Sequence, residues 1–389
     1  MHLDALAGLF KQTVRLCSEA GLVKLGLMAI DGSKVQANAS KHKAMSYERM
    51  QLREKQLEQE ITDLLARAEQ TDCAEDERFG EGQREEDLPA ELRRRENRLA
   101  KIRAAKRTLE LQAAQTRVAQ LEEQAQRNEE NAVNHPDATE RKRAATRASK
   151  CRDEAEALRD SIDDDDGPGG GLTSQELETH QTPATSEGTP KPKAQYNFTD
   201  PDSRIQERGG AFLQGYNTQA MVDAEAQVIV AQAVTNLQPD NSHLLPMLHQ
   251  TRENCGVLPD IALGDAGYWK PENLDAVEAL GVDLYISIRR QKHATAPPCA
   301  TQSSVGPTPE PDETPTARMK AKLQTDEGRA KYARRKVIVE PVFGQIKECR
   351  GFRRFLLRGL PKVIGEWSLV TATHNLLKLF RYRTATVPA

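Results

Sequence analysis

Paired cysteines and membrane-length apolar runs are missing from this chain, and no secretory leader is expected. Its six cysteines (Cys17, Cys73, Cys151, Cys255, Cys299 and Cys349) lie far apart and form no CxxC pair. That spacing argues against a zinc site or a disulfide framework and suits a reducing compartment. No run of apolar residues reaches the roughly 20 residues that span a bilayer, and the N-terminus lacks a signal-peptide layout. A cytoplasmic protein with no membrane partner is therefore expected, nucleoid-associated if it binds DNA. Net charge is also slight, at −3. The small total conceals an asymmetry, because Arg318 to Arg383 carries 17 Lys/Arg against 5 Asp/Glu and the remainder is acidic. A basic end of this kind suits a nucleic-acid contact, and a solvated basic surface is the plainer alternative.

Aromatic residues nearly vanish between about Ser40 and Ser161, where charges alternate in sign. Leu57, Ile61, Leu64 and Ala68 recur at helical spacing there, as do Leu92, Leu99, Ile102 and Leu109, then Val118 and Leu121. With a polar break at Phe79-Gly80-Glu81-Gly82 and Pro89 suited to a first helical turn, the segment reads as a helical hairpin or short coiled coil. It is too long for a connection, so it is an insertion. On either side the periodicity changes. A short amphipathic helix over Leu6 to Leu16 precedes a buried strand from Gly21 to Asp31, which ends in the acid. Later strands are predicted at Gly215–Asp223, Gln227–Val234, Ile261–Asp265 and Asp283–Ile288, the first two joined by a turn at Asp223-Ala224-Glu225-Ala226. Helices are predicted from about Ser242 to Glu253 with Asn241 or Ser242 as cap, Pro271 to Leu280, Gly328 to Cys349 and Lys362 to Phe380. The order strand, strand, strand, helix, strand, helix, strand, helix is that of a ribonuclease H-like α/β core with a mixed sheet. The expected division is 1–40 core, 41–161 charged helical insertion, 162–195 disordered linker, 196–293 core again, 294–316 disordered loop, and 317–389 a last catalytic helix with a basic tail.

Three carboxylates stand where that order would gather them. Asp31 ends a strand expected to be central, Asp265 ends the strand beside it, and Glu340 lies on a helix packing across the sheet. Carboxylates sharing a site raise one another's cost of ionisation, and hard divalent cations are the usual remedy. Two such ions, about 3.5–4 Å apart, can activate an attacking oxygen and stabilise a leaving one. Asp31-Gly32 is equally a hairpin-turn dipeptide, and Asp265 between Gly264 and Gly267 is equally a loop aspartate. Glu340, within Val337-Ile338-Val339-Glu340-Pro341-Val342-Phe343, is less easily dismissed, because a lone buried charge is costly. A kink or a helix start is expected at Pro341.

The block from Ala29-Ile30-Asp31-Gly32-Ser33-Lys34 to Met45-Ser46-Tyr47 resembles the first-aspartate block of bacterial insertion-sequence transposases of the DDE type. Gly215-Tyr216-Asn217, Gly264-Asp265-Ala266-Gly267-Tyr268 and the Glu340 helix are similar to later blocks of that group. Its Y-R-E-K signature falls on Tyr332, Arg335, Glu340 and Lys347, with the step from Arg335 to Glu340 one residue longer than usual and Lys336 the substitute. The resemblance implies a ribonuclease H-like core, catalysis and metal binding by Asp31, Asp265 and Glu340, and Mg²⁺ (or Mn²⁺) as cofactor, as two ions. It also implies cutting and joining of transposon ends by a homodimer, with DNA as partner. Relatives carry an N-terminal helical domain that this chain is expected to lack. An inactive remnant serving as a DNA-binding or coiled-coil interaction protein, or a ribonuclease H-like nuclease, are the alternatives.

Lys347, two helical turns beyond Glu340, is expected on its face and able to hold a DNA phosphate, as is Arg335. Arg350, Arg353, Arg354 and Arg358, interleaved with Phe352 and Phe355, read as a backbone-binding strip or as an amphipathic helix end. His42, His243 and His374 share no ligand spacing, so solvated or packing roles are expected. Trp269 reads as a base-stacking platform or as packing below the Asp265 loop.

Overall fold

The computed structural model describes residues 3–79, 88–163, 182–237, 240–288 and 314–386. The described chain divides into two compact units, one of residues 1–39 with 202–389 and one of residues 40–201.

The first unit is built on a six-stranded mixed sheet. Helix α1 (Leu3–Glu19) precedes β1 (Leu27–Gln36). After residue 201 come β4 (Arg204–Arg208), β5 (Ala211–Asp223), β6 (Ile229–Thr235), α5 (Leu244–Cys255), β7 (Ile261–Gly264), α6 (Pro271–Ala279) and β8 (Asp283–Ile286). Helices α7 (Pro315–Gln324), α8 (Asp326–Gly344) and α9 (Leu360–Thr386) follow, the numbers skipped here belonging to elements of the other unit. One edge of the long β5 pairs with β1, and the other takes β4 along residues 211–215 and β6 along residues 217–222, all antiparallel. Beyond β1 follow β7 and β8, both parallel.

β1 departs from expectation in an instructive way. It begins at Leu27, after a turn in which Lys24 and Leu25 give their backbone N–H groups to Asp223 at 3.0 and 2.9 Å. It then runs through the Asp31-Gly32 dipeptide instead of ending there. The reason is its partner: β5 supplies ladder positions from Met28↔Asp223 as far as Gln36↔Gly215, so no turn forms. Gly215 permits the approach, because a Cβ there would stand 2.4 Å from the Val35 carbonyl oxygen. β4 was not foreseen, since Arg-Ile-Gln-Glu-Arg offers a single apolar residue.

Side chains of a strand alternate between faces. Asp31 and Ser33 meet α8 and its extension, whereas Gly32 and Lys34 share a face with Gln219 and Asn217, their ladder neighbours. Ile338, Val339, Val342 and Phe343 bury the inner side of α8, and Phe343 stacks on Trp367 of α9 with centroids 6.3 Å apart. Pro341 lies inside α8 and does not start it. The carbonyl its missing N–H leaves unpaired is that of Val337, which accepts from Gln227 Nε2 at 3.1 Å. A π-turn over Gln345–Cys349 ends the helix. The expected cap of α5 is also displaced, because His243 occupies the N-cap without a side-chain hydrogen bond.

The second unit holds β2 (Ala44–Ser46), α2 (Tyr47–Phe79), α3 (Leu88–Asn134), α4 (Ala138–Asp163) and β3 (Gln195–Asn197), with β2 and β3 antiparallel. Met50 and Leu57 of α2 pack with Leu99, Ile102 and Leu109 of α3, while Val118 and Leu121 of α3 meet Ala155 of α4. The expected hairpin is thus joined by a further helix. Of the expected polar break, residues 80–82 lie outside the described residues. Pro89 sits in the first turn of α3. Residues 164–181 of the expected linker are likewise outside the description, but from Thr182 onward the chain is bonded: Thr182 Oγ1 donates to Gln112 Oε1 at 2.7 Å. Of the expected loop 294–316, residues 294–313 lie outside the description and 314–316 open α7, with Thr314 as N-cap.

Candidate active site

Parallel pairing sets the geometry. Ala29 is level with Leu263, so two residues further on Asp31, within β1, stands beside Asp265, one residue past the end of β7. Each carboxylate accepts from the backbone N–H of a nearby glycine, Asp31 Oδ1 from Gly32 within β1 and Asp265 Oδ1 from Gly267, both at 2.8 Å. Asp265 thereby caps the 3₁₀ turn Ala266–Tyr268. Burial pushes the Asp31 carboxyl up to about 6; Arg335 opposes the shift and the Asp265 charge adds to it. Arg335 from α8 donates to Asp31 Oδ2 at 3.0 Å. Burial disfavours this guanidinium, yet the Asp31 charge holds it above its ordinary pKa.

Glu340 is exposed on α8, the helix that also carries Arg335. No group of three or more His, Cys, Asp or Glu among the described residues could hold a metal ion. What is present is a pair: one desolvated carboxylate beside another whose charge resists its ionisation. Such a pair suits a hard divalent cation of the Mg²⁺ kind, which binds through one or two carboxylates and takes its other ligands from water and substrate phosphates.

The structure adds residues the sequence reading missed. Asp240 Oδ1 accepts from Asn217 Nδ2 and Gln219 Nε2, each at 2.7 Å, and Lys34 Nζ lies 3.5 Å away. The buried Tyr268 hydroxyl donates to Gln219 Oε1. Burial lowers the Lys34 pKa, against the charges of Asp240, Asp265 and Asp31. Asp240 carries no sequence signal of its own, standing two residues before the predicted helix start at Ser242.

The residues expected to grip DNA divide into two kinds. Arg335 is spent on Asp31, and Lys336 is exposed. Lys347 is buried, not on an open face with Glu340; the π-turn changes the helical register, and its Nζ bonds to Ser33 Oγ and, at 3.1 Å, the Lys34 carbonyl. Tyr332 is partly buried against the core. Arg350 bonds to the Val370 carbonyl at 3.0 Å, and Arg353 pairs with Glu348. Arg354 and Arg358 are exposed while Phe355 is buried, so the strip is apolar inward and basic outward. Trp269 packs partly buried against the core. His374 is buried, His42 exposed, and His243 takes the cap position already described.

The mixed α/β core thus sets Asp31 of β1 beside Asp265, one residue past the end of the parallel β7. Residues 174–376 match the Transposase DDE domain family, and the chain belongs to that family, which makes it a transposase nuclease-type enzyme. The match takes in Asp265 and Glu340. No curated protein and no solved structure matches the chain. No helix among the described residues is long and apolar enough to cross a membrane.

Proposed function

We propose that this chain is a DNA transposase of the bacterial insertion-sequence type, with a ribonuclease H-like core that cuts and rejoins transposon ends using divalent metal ions. The observation that carries the reading is the desolvated Asp31 carboxylate beside Asp265, one residue past the end of the parallel β7. Asp31 and Asp265 would hold the metal, with Glu340 as the third acid, presented to solvent from the same helix as Arg335. Mg²⁺ or Mn²⁺ bound there, as two ions, would supply Lewis-acid stabilisation of the attacking and leaving oxygens. The protein's own part is placement. The Gly32 and Gly267 N–H groups fix the carboxylates, and α8 carries Tyr332, Arg335 and Lys336 along the site. Exposed Arg354 and Arg358 offer charge to the DNA backbone, with Arg350, Arg353 and Lys347 holding that segment in place. Two copies would act together on paired ends.

The test is nicking and joining of supercoiled and linear DNA with Mg²⁺ and with Mn²⁺. Asp265→Asn and Glu340→Gln serve as controls. Metal-dependent cutting lost in both variants, with joined products, is the expected result. Cutting without joining would make the chain a nuclease, and no cutting by folded, DNA-binding protein would sink the catalytic reading.

A further inference from the structure

Asp240 stands between Gly32 and Gly267, the two glycines whose N–H groups bind Asp31 and Asp265. A Cβ added to Gly32 would stand 3.1 Å from Asp240 Oδ1, and one added to Gly267 would stand 3.2 Å from Asp240 Oδ2. The residue after Asp31 and the second residue after Asp265 therefore both abut one carboxylate, and both are glycine. That carboxylate is on the Gly32 face of β1, opposite the face from which Asp31 meets Arg335. Two side-chain amides hold it, and the Lys34 ammonium is its ion-pair partner with 17% of the lysine side chain exposed.

Lys34 is the feature that needs an account. It stands three residues beyond Asp31 on the same strand, and the charges acting on it are those of Asp240, Asp265 and Asp31. An ammonium 3.5 Å from a carboxylate that abuts both Gly32 and Gly267 would compete with a divalent cation for Asp31 and Asp265 if it were released, since both respond to the same local potential. We propose that Asp240 is a positioning residue that engages Lys34 on the rear face of β1, keeping its ammonium off the Asp31–Asp265 pair so that the pair can take a divalent metal. Asp240 is thus not itself a ligand; it acts through Lys34. The inference rests on the metal-dependent reading of the site given above.

Asp240→Asn keeps an oxygen for the two amides and removes only the charge. Mn²⁺ binding to the full chain without DNA, read from the electron paramagnetic resonance signal of free Mn²⁺, follows the effect directly. Asp240→Asn is expected to weaken Mn²⁺ binding about 10-fold or more, the usual scale for the partner of a metal-site residue. Lys34→Met combined with Asp240→Asn is expected to restore affinity to within about threefold of the parent, which neither a ligand role nor a purely structural one for Asp240 would allow. An Asp240→Asn protein that binds as the parent does, or a loss that Lys34→Met fails to rescue, overturns the inference and leaves the active-site reading standing. If Asp240→Asn does not fold, Lys34→Met alone decides: affinity equal to or above the parent's is expected, and a loss overturns the inference. Absence of any Asp265-dependent Mn²⁺ binding in the parent would overturn the metal-dependent reading and this inference with it.

Discussion

Arg335 holds Asp31 through a 3.0 Å ion pair in which the two side chains are 11% and 19% exposed. A positive charge thus already stands on an oxygen that the proposed metal would need. Arg335→Gln removes it and leaves a desolvated carboxylate uncompensated, a change that costs about 3–5 kcal/mol in fully buried pairs and less where the survivor can take up a proton. The variant is expected to melt at a lower temperature than the parent without metal, and to gain more from saturating Mn²⁺ than the parent does. Differential scanning fluorimetry at pH 8, with and without Mn²⁺, reads both. An Mn²⁺-induced shift no larger than the parent's would show that guanidinium and metal do not compete.

The pairing of Asp31 with Asp265 was legible because it follows from strand order: an apolar run into Asp31, another into Asp265, and a crossover helix between. What escaped was decided between distant segments. β1 continues past Gly32 because β5 is long enough to pair with it, a fact contained in residues 215–219 and not near Asp31. Pro341 is tolerated because Gln227, more than a hundred positions earlier, supplies the donor that Val337 lacks. The π-turn at Gln345–Cys349 has the composition of ordinary helix, yet it changes where Lys347 points. Asp240 gave no signal of its own, since the amides and lysine that hold it come from β5 and β1.

Lys347 is expected to matter for folding before it matters for DNA. Its buried ammonium ties the π-turn to β1 through Ser33 Oγ and the Lys34 carbonyl. Hydrogen bonds to charged groups contribute about 1.5–3 kcal/mol each. Lys347→Met should lower unfolding stability in urea, and Ser33→Ala by less. The double variant should fall short of the sum by about 0.5–3 kcal/mol, the range for residues in contact. Strict additivity would show that the two do not interact.

Arg354 gives the opposite expectation. Its backbone bridges Gln36 while its side chain is exposed, so the charge is open to a phosphate. Each phosphate neutralised contributes about −0.9 to the slope of log K against log salt for duplex DNA. Arg354→Ala should make that slope shallower by about this amount and leave the melting temperature unchanged. Arg350→Ala, which removes contacts to Val370 and Thr373, should lower the melting temperature instead. An Arg354→Ala slope identical to the parent's would remove Arg354 from the DNA-binding surface.

Acid should weaken the core through His374. Burial lowers its pKa to about 4, although the bond from Nε2 to the Gln227 carbonyl, at 3.0 Å, works the other way. The folded state therefore keeps the ring neutral, while the unfolded chain protonates it near 6.5. With the folded pKa depressed, the unfolded state binds more protons between pH 6.5 and 4, so stability rises with pH across that window. Full stability is present above about pH 6.5, and by pH 5 this one group should have removed about 2 kcal/mol. Urea unfolding at pH 7 and pH 5, for the parent and for His374→Gln, isolates the contribution. The variant carries no titrating ring, so its difference between the two pH values should be smaller by about that 2 kcal/mol. Equal differences in parent and variant would mean that the imidazole is protonated as readily inside the fold as outside it.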